Sequence, residues 1–187
     1  MSLDSNVPSA VHATLVLGGA RSGKSRFAET LARGTGLSLV YIATSPVLDE
    51  ETRQRIDEHR LMRGDGWRTV EEELEIASAV SRETAANRVL LVDCLTLWLN
   101  NLIYHDKDVV AEIDALCVVL SALKGPCVMV SNEIGMGLVP ETSLGRRFRD
   151  AQGRLNQQIA ETSKNVIFVA AGLPLHLKPS TQSDFSL

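Results

Sequence analysis

The sequence predicts an α/β domain in which helices cover both faces of a mostly parallel central sheet. Apolar runs alternate with amphipathic segments along nearly all of the 187 residues. Several of these runs are continuous stretches of Val, Leu and Ile, which is typical of parallel strands buried on both faces. A glycine-rich stretch also lies directly between the first apolar run and the first amphipathic segment. A doubly wound fold of this kind binds its ligands outside the carboxyl ends of its strands.

Each element is assigned from the period of its apolar residues. The short continuous runs predict strands at Ala13–Leu17, Leu37–Ala43, Trp67–Glu71, Val89–Asp93, Cys127–Ser131 and Val166–Ala170. Apolar residues spaced three and four apart predict helices at Lys24–Arg33, Glu50–Arg63, Leu74–Ala86, Leu95–Ile103, Val109–Leu123 and Leu144–Ser163. In the last helix the predicted buried stripe consists of Leu144, Phe148, Ala151, Leu155 and Ile159. We expect a flexible leader (1–12), one domain (13–178) and a C-terminal tail (179–187).

The composition argues against several classes of protein. A hydrophobic content of 44% and a charged content of 22% are ordinary for a globular domain. The formal net charge of −4 gives no general attraction to nucleic acid or to an anionic membrane, and no apolar run is long enough to span a bilayer. The cysteines form no C-x-x-C pair and lie in apolar runs, which favours buried thiols in a cytoplasmic protein. These residues are Cys94, Cys117 and Cys127.

The glycine-rich stretch has the complete G-x-x-x-x-G-K-S pattern. It consists of Gly18, Gly19, Ala20, Arg21, Ser22, Gly23, Lys24 and Ser25. The backbone N–H groups of such a loop and the positive end of the following helix dipole attract a polyphosphate. Lys24 can reach the β- and γ-phosphates, and Ser25 presents a hydroxyl to Mg²⁺. The pattern between a strand and a helix therefore predicts a nucleoside triphosphate site and a P-loop NTPase-like fold.

Two carboxylates follow buried strands and are candidates for the same site. Asp93 ends an apolar strand, where P-loop proteins hold Mg²⁺, although it would also suit the cap of the next helix. Glu133 is placed to orient a water, a metal or a substrate hydroxyl, and a structural role in its own turn explains it equally well. Several arginines of the last helix lie off its buried stripe, where a substrate, a neighbouring subunit or solvent would suit them. They are Arg146, Arg147, Arg149 and Arg154.

A charged segment between residues 49 and 63 carries a histidine among arginines. At helical spacing His59 and Arg63 share one stripe, with Arg60 at its margin. A neutral imidazole can attack phosphorus, and guanidinium groups would spread the charge of the displaced phosphates. On residue pattern alone, a solvated charged helix with an idle histidine is the simpler interpretation.

Taken together, these motifs resemble the bifunctional adenosylcobinamide kinase / adenosylcobinamide-phosphate guanylyltransferase family of cobalamin biosynthesis. The resemblance covers Thr14 to Lys178. It depends on the glycine-rich loop and on six further segments in order. These are Tyr41-Ile42-Ala43-Thr44-Ser45, Arg55 to Trp67 with His59 and Arg60, Asp93-Cys94-Leu95-Thr96-Leu97-Trp98, Asn132 to Pro140, Phe148-Arg149-Asp150 and Gly153-Arg154-Leu155-Asn156-Gln157.

The resemblance implies two reactions on one small domain. A nucleoside triphosphate, GTP or ATP, would phosphorylate the aminopropanol hydroxyl of adenosylcobinamide, and GTP would then pass GMP through a histidine to the phosphorylated corrinoid. The family's GMP-carrying histidine corresponds to His59, which reverses the simpler interpretation. Catalytic roles are thus expected for His59, Lys24 and Glu133, and Mg²⁺ binding for Ser25 and Asp93. Beyond the glycine-rich loop, nucleotide contacts are expected at Ala43, Thr44, Ser45, Arg60, Leu61, Met62, Arg63, Glu71 and Asp93.

The resemblance also implies a homotrimer, and it has one departure. Family members usually have Pro after the second arginine, whereas Arg63 is followed here by Gly64-Asp65-Gly66, which makes the link more flexible but removes no chemical group. Two other functions fit the residues. A monofunctional P-loop kinase would form no covalent nucleotide adduct, and a switch ATPase would hydrolyse nucleotide regardless of cobinamide. A GTPase switch is disfavoured because no N-K-x-D motif occurs.

Overall fold

The computed structural model describes residues 12–46 and 64–179, and these contain a seven-stranded sheet. The strands are β1 (Ala13–Gly18), β2 (Ser38–Ala43), β3 (Trp67–Glu71), β4 (Arg88–Asp93), β5 (Cys127–Asn132), β6 (Asn165–Ala170) and β7 (Leu173–Lys178). Their order across the sheet is β3-β2-β4-β5-β1-β6-β7. All neighbours are parallel except β6 and β7, which are antiparallel. β1, which leads into the glycine-rich loop, thus lies between β5 and β6.

Helices cover both faces of the sheet, as the sequence predicts. They are α1 (Lys24–Arg33), α2 (Ile76–Glu83), α3 (Leu95–Tyr104), α4 (Val109–Ser121) and α5 (Ser143–Thr162). Ala28 and Ala32 of α1 pack on one face. The other four helices contribute residues such as Trp98 and Leu155 to the core on the opposite face. None of the helices in the described ranges has the length and hydropathy needed to cross a membrane.

Two expectations for the C-terminal half are wrong. β7 was not predicted, because its leucines alternate with Pro174 and His176 and the strand is exposed, at the edge of the sheet that the described residues form. Leu144 was predicted to be buried, yet it is exposed in the first turn of α5. The buried stripe of this helix therefore begins after Leu144.

The expected burial of the cysteine side chains holds for Cys94 and Cys127, whereas Cys117 is half-buried.

The helix predicted at Leu74–Ala86 is shorter at both ends in the structure. Before it, the Glu72 carboxylate accepts hydrogen bonds from the backbone N–H groups of Leu74 and Glu75, which forms a turn rather than a helical start. After it, Thr84 has an extended backbone. The predicted helix Glu50–Arg63, residues 1–11 of the leader and residues 180–187 of the tail lie outside the described residues.

A buried carboxylate joins α2 to the amino ends of two strands. Glu83 is 7% exposed and pairs with Arg68 of β3, Arg82 of α2 and Arg88 of β4. The hydrogen bond from Arg68 and the nearby guanidinium charges hold the pKa of Glu83 below its usual value of 4.5, against the opposing effect of burial. Glu83 therefore stabilises the end of the sheet opposite the glycine-rich loop.

We expect Glu83→Gln to lower the free energy of unfolding by about 1–3 kcal/mol at neutral pH. Because the pKa is lowered on folding, the carboxylate stabilises the fold above its unfolded pKa, and this contribution is lost as the pH falls through the folded pKa. The difference between Glu83→Gln and the unsubstituted protein should therefore shrink on acidification. Urea unfolding across this pH range measures it.

The matched control is Glu75→Gln, which removes a carboxylate from an exposed pair with Lys107. Exposed pairs contribute little, so this change should cost less than about 1 kcal/mol. Two results would contradict the stabilising role of the Glu83 carboxylate. One is an equal loss of unfolding free energy in both variants, and the other is a loss in Glu83→Gln that does not vary with pH.

Candidate functional site

The glycine-rich loop is held by close backbone contacts with β6 and with the turn before β7. A Cβ on Gly18 would lie 2.5 Å from the backbone oxygen of Val169. Gly23 has a φ of +93°, and a Cβ there would lie 3.1 Å from Cα of Gly172. Gly172 donates a backbone hydrogen bond to the Ser22 oxygen at 2.8 Å. Both glycines are thus required by the geometry, as the sequence predicts for this loop.

The amino end of α1 is left open to an anion. Its N-cap, Gly23, provides no side-chain hydrogen bond, and the first turn contains no acidic residue. The first N–H groups of a helix have no partners within the helix, so the uncapped end favours a bound phosphate. Lys24 donates from Nζ to the Gly19 oxygen at 3.1 Å, which folds its ammonium over the loop. The Ser22 hydroxyl is buried and has no hydrogen-bond partner within the described part of the chain.

Asp93 lies at the carboxyl end of β4, a strand against which α1 packs. Its carboxylate accepts a hydrogen bond from the Tyr41 hydroxyl at 3.2 Å, and its peptide bond to Cys94 is cis. Burial raises the pKa of the Cys94 thiol to about 11; the charge of Asp93 acts in the same direction and that of Lys24 opposes it. The thiol therefore stays protonated at neutral pH. Asp93 and Lys24 both act electrostatically on this one side chain.

A hydrogen-bond clamp holds the carboxyl ends of β2 and β4 together. The fully buried Thr44 donates from Oγ1 to the Cys94 oxygen and accepts from the Cys94 nitrogen, both at 2.8 Å. Asn101 of α3 donates from Nδ2 to the Thr44 oxygen at 2.8 Å and to the Glu73 oxygen at 3.0 Å. The Thr44 hydroxyl is thus engaged within the protein. The clamp fixes the positions of Thr44 and Asp93 relative to each other.

A second buried network holds the start of the loop after β5. Gln152 donates from Nε2 to Ser131 Oγ at 2.9 Å and to Asn156 Oδ1 at 3.0 Å. Asn156 donates from Nδ2 to the Asn132 oxygen at 3.1 Å. Ser131 and Gln152 are fully buried. These bonds fix the exit of β5 against α5, while the buried Gln152 Oε1 has no hydrogen-bond partner within the described residues.

Glu133 lies where β5 meets the glycine-rich loop. Its backbone nitrogen donates to the Gly18 oxygen at 3.1 Å. Its carboxylate accepts a hydrogen bond from the Gly135 nitrogen, which is the turn role that the sequence also allowed. Glu133 is half-buried, so it combines this turn role with a position beside the glycine-rich loop.

The structure brings together at the carboxyl edge the glycine-rich loop and the ends of β2, β4 and β5. Glu71 ends β3, the edge strand next to β2, and is exposed. His59, Arg60, Leu61, Met62 and Arg63 lie outside the described residues. Sequence reasoning missed Asn101, Gln152 and the buried position of Asn156. Gln152 and Asn156 have helical spacing with Leu155 and Ile159, and this pattern could have revealed them. In residues 12–46 and 64–179 no three His, Cys, Asp or Glu side chains form a group that could hold a metal.

Comparisons with known proteins identify the family. Residues 14–177 match the family model CobU, described as cobinamide kinase / cobinamide phosphate guanyltransferase. The chain is 51% identical over 166 residues to the bifunctional adenosylcobalamin biosynthesis protein CobP of Pseudomonas aeruginosa, covering 88% of this chain and 96% of that protein. It is 40% identical over 179 residues to the bifunctional adenosylcobalamin biosynthesis protein CobU of Escherichia coli, covering 88% and 98%.

Solved structures support the fold alone. The flagellar accessory protein FlaH of Methanocaldococcus jannaschii superposes with a TM-score of 0.50 at 16% identity, covering 89% of this chain and 78% of that one. A protein of Pyrococcus horikoshii, solved as project PH0250, gives 0.53 at 11% identity, covering 89% and 86%. The P-loop α/β fold and the expected kinase and guanylyltransferase class are confirmed. The chain belongs to the cobinamide kinase / cobinamide phosphate guanyltransferase family.

Proposed function

We propose that this protein catalyses two consecutive transfers in adenosylcobalamin biosynthesis. In the first, GTP or ATP phosphorylates the aminopropanol hydroxyl of adenosylcobinamide. In the second, GMP passes from GTP to His59 and then to adenosylcobinamide phosphate, which yields adenosylcobinamide-GDP and pyrophosphate. The observation that carries the proposal is the complete loop Gly18–Ser25 at an uncapped helix end, in a chain whose family match names both activities.

In the kinase step the acceptor oxygen attacks the γ-phosphorus of the nucleotide. The new bond joins this oxygen to phosphorus, the bond from phosphorus to the β-bridging oxygen breaks, and the nucleoside diphosphate leaves. Lys24 neutralises the charge that develops on the phosphate oxygens. We assign the hydroxyl proton to Glu133, because its backbone is hydrogen-bonded to Gly18 at the head of the loop.

Ser25 and Asp93 are the proposed ligands of Mg²⁺. A hydroxyl and a carboxylate are the hard oxygen donors that this ion prefers, and it commonly uses one or two protein ligands together with substrate phosphates. α1, whose first turn contains Ser25, packs against β4, which ends at Asp93. When bound, the ion would neutralise charge on the phosphate oxygens.

In the guanylyl step a nitrogen of the His59 imidazole attacks the α-phosphorus of GTP. A phosphorus–nitrogen bond forms, the bond from phosphorus to the α–β bridging oxygen breaks, pyrophosphate leaves, and the single N–H proton on the other ring nitrogen passes to solvent. A phosphate oxygen of the phosphorylated corrinoid then attacks the same phosphorus, the phosphorus–nitrogen bond breaks, and the ring takes a proton back from solvent to leave as neutral imidazole. Residues 47–63 follow Ser45 and Pro46 at the end of β2, so the chain enters this segment from the carboxyl edge that bears the glycine-rich loop.

We further propose that the family's nucleotide contacts carry over to this chain, and that it assembles as a homotrimer. The contacts beyond the glycine-rich loop are Ala43, Ser45, Arg60, Leu61, Met62, Arg63, Glu71 and Asp93. Thr44 would contribute by holding the end of β2 in place, because its side chain is fully buried and hydrogen-bonded to Cys94. An exposed apolar strand supports self-association: Leu173, Leu175 and Leu177 of β7 are exposed at the edge of the sheet.

His59→Ala should abolish the covalent GMP adduct and retain part of the kinase activity, because only the guanylyl step uses the imidazole. Incubation with α-labelled GTP, denaturation and intact-mass measurement detect the adduct. His105→Ala, which removes an exposed histidine after α3, is the control and should label normally. Label that survives denaturation in His59→Ala would contradict the proposed carrier. A protein that never labels would favour a monofunctional kinase.

Lys24→Ala should lower kcat/KM of the kinase reaction by about a hundredfold or more, because the ammonium acts on charge that develops during transfer. Initial rates with cobinamide and a saturating nucleotide measure this loss. Lys107→Ala removes an ammonium outside the loop and should leave the rate unchanged. Near-normal phosphorylation by Lys24→Ala would overturn the role of Lys24.

Asp93→Asn should raise the Mg²⁺ concentration needed for half-maximal kinase rate by about ten- to a hundredfold. Tyr41→Phe removes only the hydroxyl that bonds this carboxylate, so its effect should be smaller. Titration of Mg²⁺ at fixed nucleotide compares the two. An unchanged Mg²⁺ requirement in Asp93→Asn would instead assign Asp93 a structural role.

A further inference from the structure

The loop between β5 and α5 exposes several large apolar side chains. Met136, Leu138 and Val139 are 80%, 96% and 64% exposed, and Leu144 is exposed in the first turn of α5. Four such residues within nine positions form a contiguous stretch of sequence whose apolar surface faces solvent. We call residues 134–142 the apolar loop; it contains the first three of these residues, and Leu144 follows it in α5. Exposed apolar residues concentrated in one segment commonly mark a binding surface.

The apolar loop is fixed at both ends by hydrogen bonds. Just before its start, the nitrogen of Asn132 at the end of β5 donates to Thr96 Oγ1 at 2.8 Å, and the Asn132 oxygen accepts from Asn156. At its end, Arg146 donates from Nη1 to the Pro140 oxygen at 3.0 Å and to the Glu141 oxygen at 2.7 Å. The backbone ends are thus held while the apolar side chains stay uncovered. A preorganised surface of this kind binds a ligand at a low cost in conformational entropy.

The two residues before the apolar loop are in direct contact with the first residue of the glycine-rich loop. Glu133 donates its backbone N–H to the Gly18 oxygen at 3.1 Å, and Asn132 and Gly18 are partners in the register of β5 with β1. Met136 follows only three residues later, so its Cα lies within about 11 Å of the Glu133 Cα. The apolar surface therefore adjoins the site where the γ-phosphate would lie.

We propose that the apolar loop is the surface on which the corrin ring of cobinamide rests during phosphoryl transfer. This inference depends on the proposed kinase function. The reacting hydroxyl must lie within about 3.5 Å of the phosphorus, so the bulky ring at the other end of the aminopropanol arm must rest on surface next to the glycine-rich loop. The ring carries many methyl groups, which suit apolar contacts with Leu138 and Val139. The flexible Met136 side chain adapts to an irregular ring.

A second copy of the chain is the competing occupant of this surface. Two observations favour the corrin ring. The apolar loop is continuous with the glycine-rich loop, whereas self-association has a separate exposed apolar surface on β7. The kinase reaction also needs a surface beside the glycine-rich loop that holds cobinamide, because the corrin ring is much larger than the aminopropanol arm that reacts.

The test uses the full chain with both Met136→Ser and Leu138→Ser. Both side chains are exposed, so the double variant should fold. We expect the KM for cobinamide to rise about tenfold or more, with the KM for nucleotide and the rate at saturating cobinamide unchanged. Leu138→Met keeps the apolar surface and should have a KM near that of the unsubstituted protein. Val118→Ser, which removes an exposed valine from α4, is the matched control and should change neither KM.

Sedimentation velocity on the same proteins separates the two occupants. An unchanged KM for cobinamide, or a KM for nucleotide that rises by the same factor, would overturn the proposal. A change of assembly state in the double variant would assign the apolar loop to a second copy and would overturn it as well. If the unsubstituted protein fails to phosphorylate cobinamide, the kinase function itself is refuted. In that case, equilibrium dialysis measures the affinity for cobinamide of the unsubstituted protein and of the double variant. Equal affinities would contradict the proposed role of the apolar loop.

Discussion

The shape of the glycine-rich loop depends on close backbone contacts that leave no room for side chains. The loop, the end of β6 and the turn before β7 approach one another there. Gly18 faces the Val169 oxygen, and Gly23 faces Gly172, whose nitrogen is bonded to Ser22. These contacts depend on β1 pairing with β6 on one side and β5 on the other. The open helix end, the folded Lys24 side chain and the start of the apolar loop all follow from that arrangement.

Buried polar groups concentrate where the chemistry is expected. Thr44, Asn101, Ser131, Gln152 and Asn156 are all buried, and each is hydrogen-bonded to the end of a strand or to a neighbour that is. Burying such groups is costly unless they are paired, so a purely structural core would use apolar residues instead. These networks hold the carboxyl edge in one geometry. At the opposite edge, Glu83 and its arginines have a structural role.

Residue patterns predicted the fold well where the chain is buried on both sides. β4 and β5 are continuous apolar runs, so their type and position followed directly. β7 escaped prediction because an exposed edge strand has no apolar run to identify it. The glycine-rich loop was predicted from its motif. The hydrogen bond from Asn101 to Thr44 could not be predicted from the sequence, because the two residues are 57 positions apart and only the fold brings them together.

The close contact between Ser22 and Gly172 also bears on synthesis of the chain. The ribosome makes the glycine-rich loop well before Val169 and Gly172, whose backbone contacts shape that loop. A nascent or prematurely terminated chain thus lacks the support that shapes its phosphate cradle. We therefore expect this loop to take its nucleotide-binding shape only after β6 and the turn before β7 have been made and have packed against β1.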